Sequence, residues 1–183
     1  MLYTKKGDDG TTKTFGCDQR VSKSSSVAEA LGSLDEINSY LGLCKVKSVE
    51  SQLKVGGDSF GKIVHILQEN LFMVQAELAG ADKHIEEGKV KQVEDWIDLA
   101  EHEMPPIKTF FISGGSDIAA TFDVARTIAR RAERRVVGVN EEGLVKLGAE
   151  TLKFMNRLSS ILYALARLSN HKSGIKETAP SYN

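Results

Sequence analysis

Proline is nearly missing from this chain: its three copies stand at 105, 106 and 180. The first hundred positions therefore hold no residue that must break a helix. Cysteine is scarce too. Cys17 and Cys44 have neither CxxC spacing nor a matching histidine pair. That argues against a disulfide framework or a zinc site and for a reducing compartment, the cytoplasm. No apolar run approaches the roughly 18 residues that a membrane span needs. The opening Met1-Leu2-Tyr3-Thr4-Lys5-Lys6 contains no apolar segment, so no secretory leader is expected. An excess of either charge is lacking as well: 24 basic against 25 acidic side chains leave a net charge of −1. Bulk capture of nucleic acid or of an anionic membrane is thereby disfavoured, and any basic site must be local.

Familiar catalytic signatures are absent. There is no GxSxG, no HExxH and no GxxxxGK[ST]. The four histidines, His65, His84, His102 and His171, are scattered. His65 lies in an apolar run and reads as a core residue; His84 and His102 read as surface residues. Hydrolysis through a covalent intermediate has no visible machinery, and no metal ligand set is assigned.

What is present is helical periodicity in a composition, 41% hydrophobic and 27% charged, that is ordinary for a globular protein. The length fits a single domain over 1–183, with a loop over 1–25, a bundle over 26–171 and a tail over 172–183. Apolar residues at three- and four-residue steps predict helices over about 26–46, 58–79, 89–103, 116–139 and 143–171. Ser26-x-x-Glu29 has the form of a capping box, Asp58 and Ser116 are candidate caps, and Gly80 and Gly174 are candidate stops. Phe72 is placed inward with Ile63, Leu67, Val74 and Leu78. Residues 48–57 read as a loop, and no strand is predicted. The expected fold is all-α: a five-helix antiparallel bundle, four helices long and one short, preceded by an irregular N-terminal loop.

Two cationic regions stand out. Arg126, Arg130, Arg131, Arg134 and Arg135 crowd one helix, and Arg126, Arg130 and Arg134 fall four apart on a single ridge that Glu133 borders. Such a ridge is either a solvated face with salt bridges or a polyphosphate clamp, since guanidinium forks fit phosphate oxygens. The loop Thr4-Lys5-Lys6-Gly7-Asp8-Asp9-Gly10-Thr11-Thr12-Lys13, followed by Lys23, is either a solvated basic tail or a phosphate cradle built from glycines, lysines and hydroxyls. Asp8 or Asp9 would suit Mg²⁺ held through water. Two further polar sets interrupt apolar helices. One surrounds Asp35, a natural partner for an arginine of the fourth helix; the other is the stripe Asn156, Ser160, Tyr163 and Arg167. Either set could equally be a plain solvent face.

Four segments occur in order: YTKKGDDGTT, EALGSLDEINSYLG, ARTIARRAERRVV and NRLSSILYALAR. Together, from Tyr3 to about Arg167, they resemble the PduO-type ATP:cob(I)alamin adenosyltransferases. The resemblance implies a five-helix bundle assembled as a homotrimer with active sites between subunits. It implies transfer of the 5′-deoxyadenosyl group of ATP to the cobalt of a reduced corrinoid, giving adenosylcobalamin and triphosphate, with Mg²⁺ on the phosphates and a possible cob(II)alamin reductase as partner. It assigns ATP binding to Thr4, Lys5, Lys6, Gly7, Thr12, Lys13 and Lys23, and to Arg130, Arg131, Glu133, Arg134 and Asn156. Asp35 and Arg126 take the subunit-bridging pair. Phe110 takes the corrinoid-side phenylalanine, keeping the lower axial position of cobalt apolar and empty. Where the family often has a proline before Gly-Gly, this chain has Ser113, which leaves Phe111 as the alternative.

The residues suit that reaction. Cob(I)alamin is itself the nucleophile, so the protein need supply only in-line positioning and charge stabilisation for a triphosphate leaving group. Two other readings stand beside it: an ATP- or corrinoid-binding regulator or carrier on the same bundle without significant turnover, and a helical interaction protein whose arginines meet a partner's acids.

Overall fold

A computed structural model describes residues 3–14 and 20–182. Cys17 lies outside the described residues. The chain opens with two short strands, β1 (Thr11–Lys13) and β2 (Arg20–Ser22), paired antiparallel with Thr12 opposite Val21. Helix α1 (Ser26–Ser51) follows, then a second small hairpin, β3 (Lys54–Val55) and β4 (Asp58–Ser59). The remaining helices are α2 (Phe60–Leu78), α3 (Glu87–His102), α4 (Asp117–Glu141) and α5 (Ala149–Lys172). The five-helix, all-α expectation holds, with α3 the short member.

Local chemistry moves several boundaries. The cap of α1 is Ser25, not Ser26: Ser25 is extended and its hydroxyl accepts from the Ala28 amide at 3.3 Å. Ser26 is already helical, so the box with Glu29 does not form. Helix α1 runs past 46 to Ser51, where Gln52 closes it in the left-handed region with φ 54°. The turn that follows is a hairpin rather than a loop. Gly56 and Gly57 have φ 54° and 89°, the pattern of a type I′ turn. Gly56 also lies so close to α3 that a Cβ there would stand 2.4 Å from Leu99 Cδ1. Ser59, not Asp58, caps α2. The Asp58 carboxylate accepts instead from Lys62 Nζ at 2.6 Å and from Trp96 Nε1 at 3.0 Å, tying the hairpin to α2 and α3.

Helix α5 begins at 149, later than the periodicity suggests, because Gly143 turns the chain with φ 71°. Its first turn has no side-chain cap of its own. Glu77 of α2 serves instead, accepting from the Gly148 amide at 2.7 Å and the Thr151 hydroxyl at 2.5 Å. The expected stops at Gly80 and Gly174 and the cap at Ser116 are observed.

Helix α4 packs against α1 on one side and α5 on the other; α2 lies on α1, and α3 lies on α5. One apolar cluster runs through all five helices. Phe60 and Phe122 meet edge to face at its centre, with ring centroids 6.0 Å apart. Two sequence expectations fail here. Phe72 is 64% exposed, because the inward stripe of α2 runs through Leu67, Leu71 and Val74 and turns Phe72 away. His65 is on the surface, 3.5 Å from Glu69 one turn on, so it is not a core residue. Among the described residues no helix is long and apolar enough to cross a membrane.

Phe122→Ala should destabilise the fold by about 3–5 kcal/mol, the usual cost of a cavity left by a buried aromatic ring. Urea denaturation followed by circular dichroism would read this as a lower midpoint with an unchanged slope.

Candidate active site

Alanines 125, 129 and 132 form the middle of the buried stripe of α4, between Phe122 and Val136, so the arginines of that stretch take the rest of its circumference. They divide into two groups. Arg131 and Arg135 turn towards α1 and pair with Glu36 at 2.5 Å and Glu29 at 3.6 Å. Arg130 and Arg134 are exposed and have no carboxylate partner among the described residues; Arg134 Nη1 donates only to the Arg130 carbonyl, at 3.0 Å. On the same face, Glu133 accepts from Asn156 Nδ2 of α5 at 3.0 Å. Arg157 Nη1 donates to Asn156 Oδ1 at 2.7 Å and fixes the amide's orientation. The fold thus gathers Arg130, Glu133, Arg134 and Asn156 into one cluster and sends Arg131 to the neighbouring face.

Arg126, the first residue of the ridge, is half-buried. Its Nε stands 4.0 Å from Asp123 Oδ1 and has no hydrogen-bond partner, and its guanidinium lies 5.9 Å from the Tyr163 ring. Asp35 is elsewhere, exposed on an apolar groove beside Leu31, Phe72, Gln75 and Ala76. Within one chain these two do not meet.

The N-terminal segment is folded, not an irregular tail. Arg20 braces it, a role the sequence reading missed. Its Nε donates to Thr11 Oγ1 at 2.5 Å, and its Nη2 donates to the Thr11 carbonyl at 2.9 Å and also to the Lys6 carbonyl. Asp9 Oδ1 accepts from the Thr11 amide at 2.9 Å and hydroxyl at 2.6 Å, which holds its carboxyl below the usual aspartate range. Lys23 Nζ donates to the Gly7 carbonyl at 2.8 Å, and a Cβ on Gly7 would stand 3.1 Å from that nitrogen. Lys5 takes φ 60° and lies over the Tyr3 ring at 5.9 Å. Thr4, Lys5, Lys6, Gly7, Thr12, Lys13 and Lys23 therefore share one small hairpin unit, and none of the five helices packs extensively on it.

The connection before α4 presents Phe110 to solvent, 77% exposed, while Phe111 turns inward against Arg167, Ile175 and Glu177. Gly115 has φ 101°, and a Cβ there would lie 2.4 Å from Asn170 Oδ1. The stripe on α5 is not a plain solvent face: Asn156 and Ser160 are exposed, Tyr163 is half-buried and Arg167 is 2% exposed. Burial pushes the Tyr163 hydroxyl up from its ordinary value. Burial likewise pushes the Cys44 thiol up to about 12, so this free cysteine stays a neutral core residue. Among the described residues no cluster of three His, Cys, Asp or Glu side chains is placed to hold a metal ion.

Residues 2–169 match the cobalamin adenosyltransferase family along nearly their whole length. This chain belongs to that family. It is 37% identical over 177 residues to the corrinoid adenosyltransferase PduO of Citrobacter freundii, covering 93% of this chain and 50% of the relative. It is 36% identical over 178 residues to the corrinoid adenosyltransferase of Bacillus subtilis, covering 95% of this chain and 89% of that one. The chain thus spans about half the length of the PduO relatives it matches. The fold superposes with a TM-score of 0.87 and 30% identity on a phenylalanine-to-histidine variant of the PduO-type ATP:corrinoid adenosyltransferase from Lactobacillus reuteri complexed with cobalamin and ATP, covering 100% of this chain and 97% of that one. An arginine-to-lysine variant of the same protein, complexed with ATP, superposes with a TM-score of 0.86 and 29% identity, covering 98% of this chain and 100% of that one.

Arg20→Ala should loosen the hairpin without unfolding the bundle. Amide exchange at Thr11 and Ser22 should accelerate while the melting temperature stays within a few degrees. The Asp9 tie has its own pH dependence. A depressed carboxyl contributes only while ionised, so hairpin protection should be complete above the ordinary aspartate value of 3.8 and fall away as pH drops below it.

Proposed function

We propose that this chain transfers the 5′-deoxyadenosyl group of ATP to the cobalt of a reduced corrinoid, giving adenosylcobalamin and triphosphate. The observation that carries this reading is the pair of guanidiniums, Arg130 and Arg134, that meet no carboxylate among the described residues, beside the bonded Glu133–Asn156 pair, in a member of a family whose relatives have been solved with ATP and cobalamin. Cobalt(I) attacks C5′, the Co–C bond forms as the C5′–O bond breaks, and the electron pair leaves with the triphosphate. No protein base is required. Arg130 and Arg134 stabilise the leaving phosphates, Asn156 and Glu133 orient the nucleotide, and Arg131 contributes once its bond to Glu36 yields.

The lysines and threonines of the hairpin are the second half of the phosphate site. Because neither hairpin strand packs extensively on α4 or α5 within one chain, the two halves are assigned here to different protomers of a homotrimer. Two features favour that assembly. Arg126 Nε is buried without a partner, and Asp35 is exposed beside the apolar Phe72. Asp35 of one subunit pairing with Arg126 of the next would satisfy both. Mg²⁺ fits as an ion that arrives with the nucleotide. Among the described residues of the hairpin, Asp8 is the carboxylate free of hydrogen bonds, and magnesium keeps most of its ligands as phosphate oxygen and water. Phe110, exposed at the rim, is the apolar face offered to the corrinoid, and Phe111, turned inward, supports it. A cob(II)alamin reductase would deliver the reduced substrate in the cytoplasm.

Anaerobic incubation with chemically reduced cobalamin and ATP should yield adenosylcobalamin in large excess over enzyme; one equivalent per site and no more would make the protein a carrier. Arg130→Ala should lower kcat/KM by about 10²–10³-fold, the usual effect of removing an aimed electrostatic donor, with the melting temperature unchanged. Phe110→Ala should leave ATP affinity intact and slow cobalt alkylation about tenfold or more, equivalent to about 1.4 kcal/mol or more. Unchanged alkylation would move the role to Phe111.

A further inference from the structure

The connection that carries Phe110 has no secondary structure, yet its far end is anchored from below by buried charge. Arg167 of α5 is 2% exposed and Asp123 of α4 is 4% exposed. Arg167 Nη2 donates to Asp123 Oδ2 at 2.5 Å, and the Gly114 amide donates to the same oxygen at 3.2 Å. Asn170, one helical turn after Arg167, closes a second ring of bonds. Its Oδ1 accepts from the Ser116 amide at 2.9 Å, and its Nδ2 donates to the Gly114 carbonyl at 2.8 Å. Both α5 residues also reach one carboxylate from beyond the helix. Glu177 Oε1 accepts from Asn170 Nδ2 at 2.7 Å and from Arg167 Nη1. The tail that brings Glu177 then runs alongside the connection, where the Ile112 amide donates to the Thr178 carbonyl at 2.9 Å.

We infer that Glu177 is a positioning residue for the corrinoid side of the reaction: through Arg167 and Asn170 it straps the C-terminal tail against residues 112–116 and so fixes where Phe110 stands. The inference rests on the proposed transfer activity, and it extends the site to residues beyond the last matched family position. Four charges balance in the network, Arg126 and Arg167 against Asp123 and Glu177. Without Glu177 the buried Arg167 would keep only one carboxylate, and the Ile112–Thr178 bond would lose the anchor one residue away from it. Buried polar groups held this way are costly to leave unpaired, so the loop has one favoured arrangement. Phe110 itself touches none of the anchors. A change at Glu177 therefore acts on the corrinoid through the loop and not on the phosphate cluster at Arg130 and Asn156.

The test compares Glu177→Ala and Glu177→Gln with wild type in steady-state assays, varying cob(I)alamin and ATP in turn, and in amide hydrogen exchange of the same proteins without substrates. In Glu177→Ala the KM for cob(I)alamin should rise about tenfold or more while the KM for ATP stays within about twofold. Exchange at Ile112 and Gly114 should quicken by about tenfold or more. Glu177→Gln keeps a carbonyl oxygen for Asn170 and Arg167 but loses the charge, and should show both effects in the same direction at about threefold. An unchanged corrinoid KM in Glu177→Ala, or an equal rise for both substrates, would overturn the assignment. If Glu177→Ala does not fold, Glu177→Gln decides by itself: unaltered exchange at Ile112 overturns the strap, and modestly faster exchange with a raised corrinoid KM upholds it. Failure of the wild-type protein to form adenosylcobalamin would sink the activity but leave the exchange measurement to decide whether Glu177 holds the loop.

Discussion

Helix α4 has to be buried along one stripe and carry five guanidinium groups around the remainder of its surface. In the arginine-rich middle of the helix the stripe is alanine, at 125, 129 and 132, with Phe122 before it and Val136 and Val139 after it. Close approach on both flanks decides what each arginine meets. Arg131 and Arg135 find the acids of α1, and Arg130 and Arg134 stand beside α5, whose contribution there is an amide and not a carboxylate. A ridge of like charges that its own fold leaves uncompensated is a standing repulsion. A bound triphosphate, as proposed, would relieve it.

The same physics recurs with the opposite outcome at the other end of α4. Asp123 and Arg167 are both buried, where isolated charges would be prohibitively costly. Here the fold supplies both carboxylates that meet Arg167, from α4 and the C-terminal tail, and leaves its Nε unpaired. One end of the helix thus has its buried charges met by carboxylates of the fold; the other presents Arg130 and Arg134 with no carboxylate among the described residues. The Phe110 connection hangs between the two, anchored to the first and projecting its ring to solvent.

The hairpin at the N-terminus is a third unit with its own internal logic. Arg20 and Asp9 are spent on holding it together, and Lys23 adds a bond to the Gly7 carbonyl. Its strands pack on none of the five helices extensively, which is why the proposed phosphate site draws its two halves from different protomers.

Helix number, the short third helix, the Ser116 cap and the glycine stops could all be read from the chain, because 3.6-residue periodicity and capping are local properties. So could the arginine ridge and the Gly-Lys-Thr segment, since spacing alone puts those groups together. Other features depended on neighbours far away in sequence. Glu77 caps a helix some seventy residues on, Asp58 is taken by Trp96 before it can cap, and Arg20 spends its charge on the hairpin's own carbonyls. Phe72 and His65 sit in apolar runs, but the pitch of α2 turns both outward. The division of the five arginines, and the burial of Arg167 against Asp123 and Glu177, were decided only in three dimensions. A side chain's charge is written in the sequence; whether that charge is met, and by what, depends on which helices come to lie beside it.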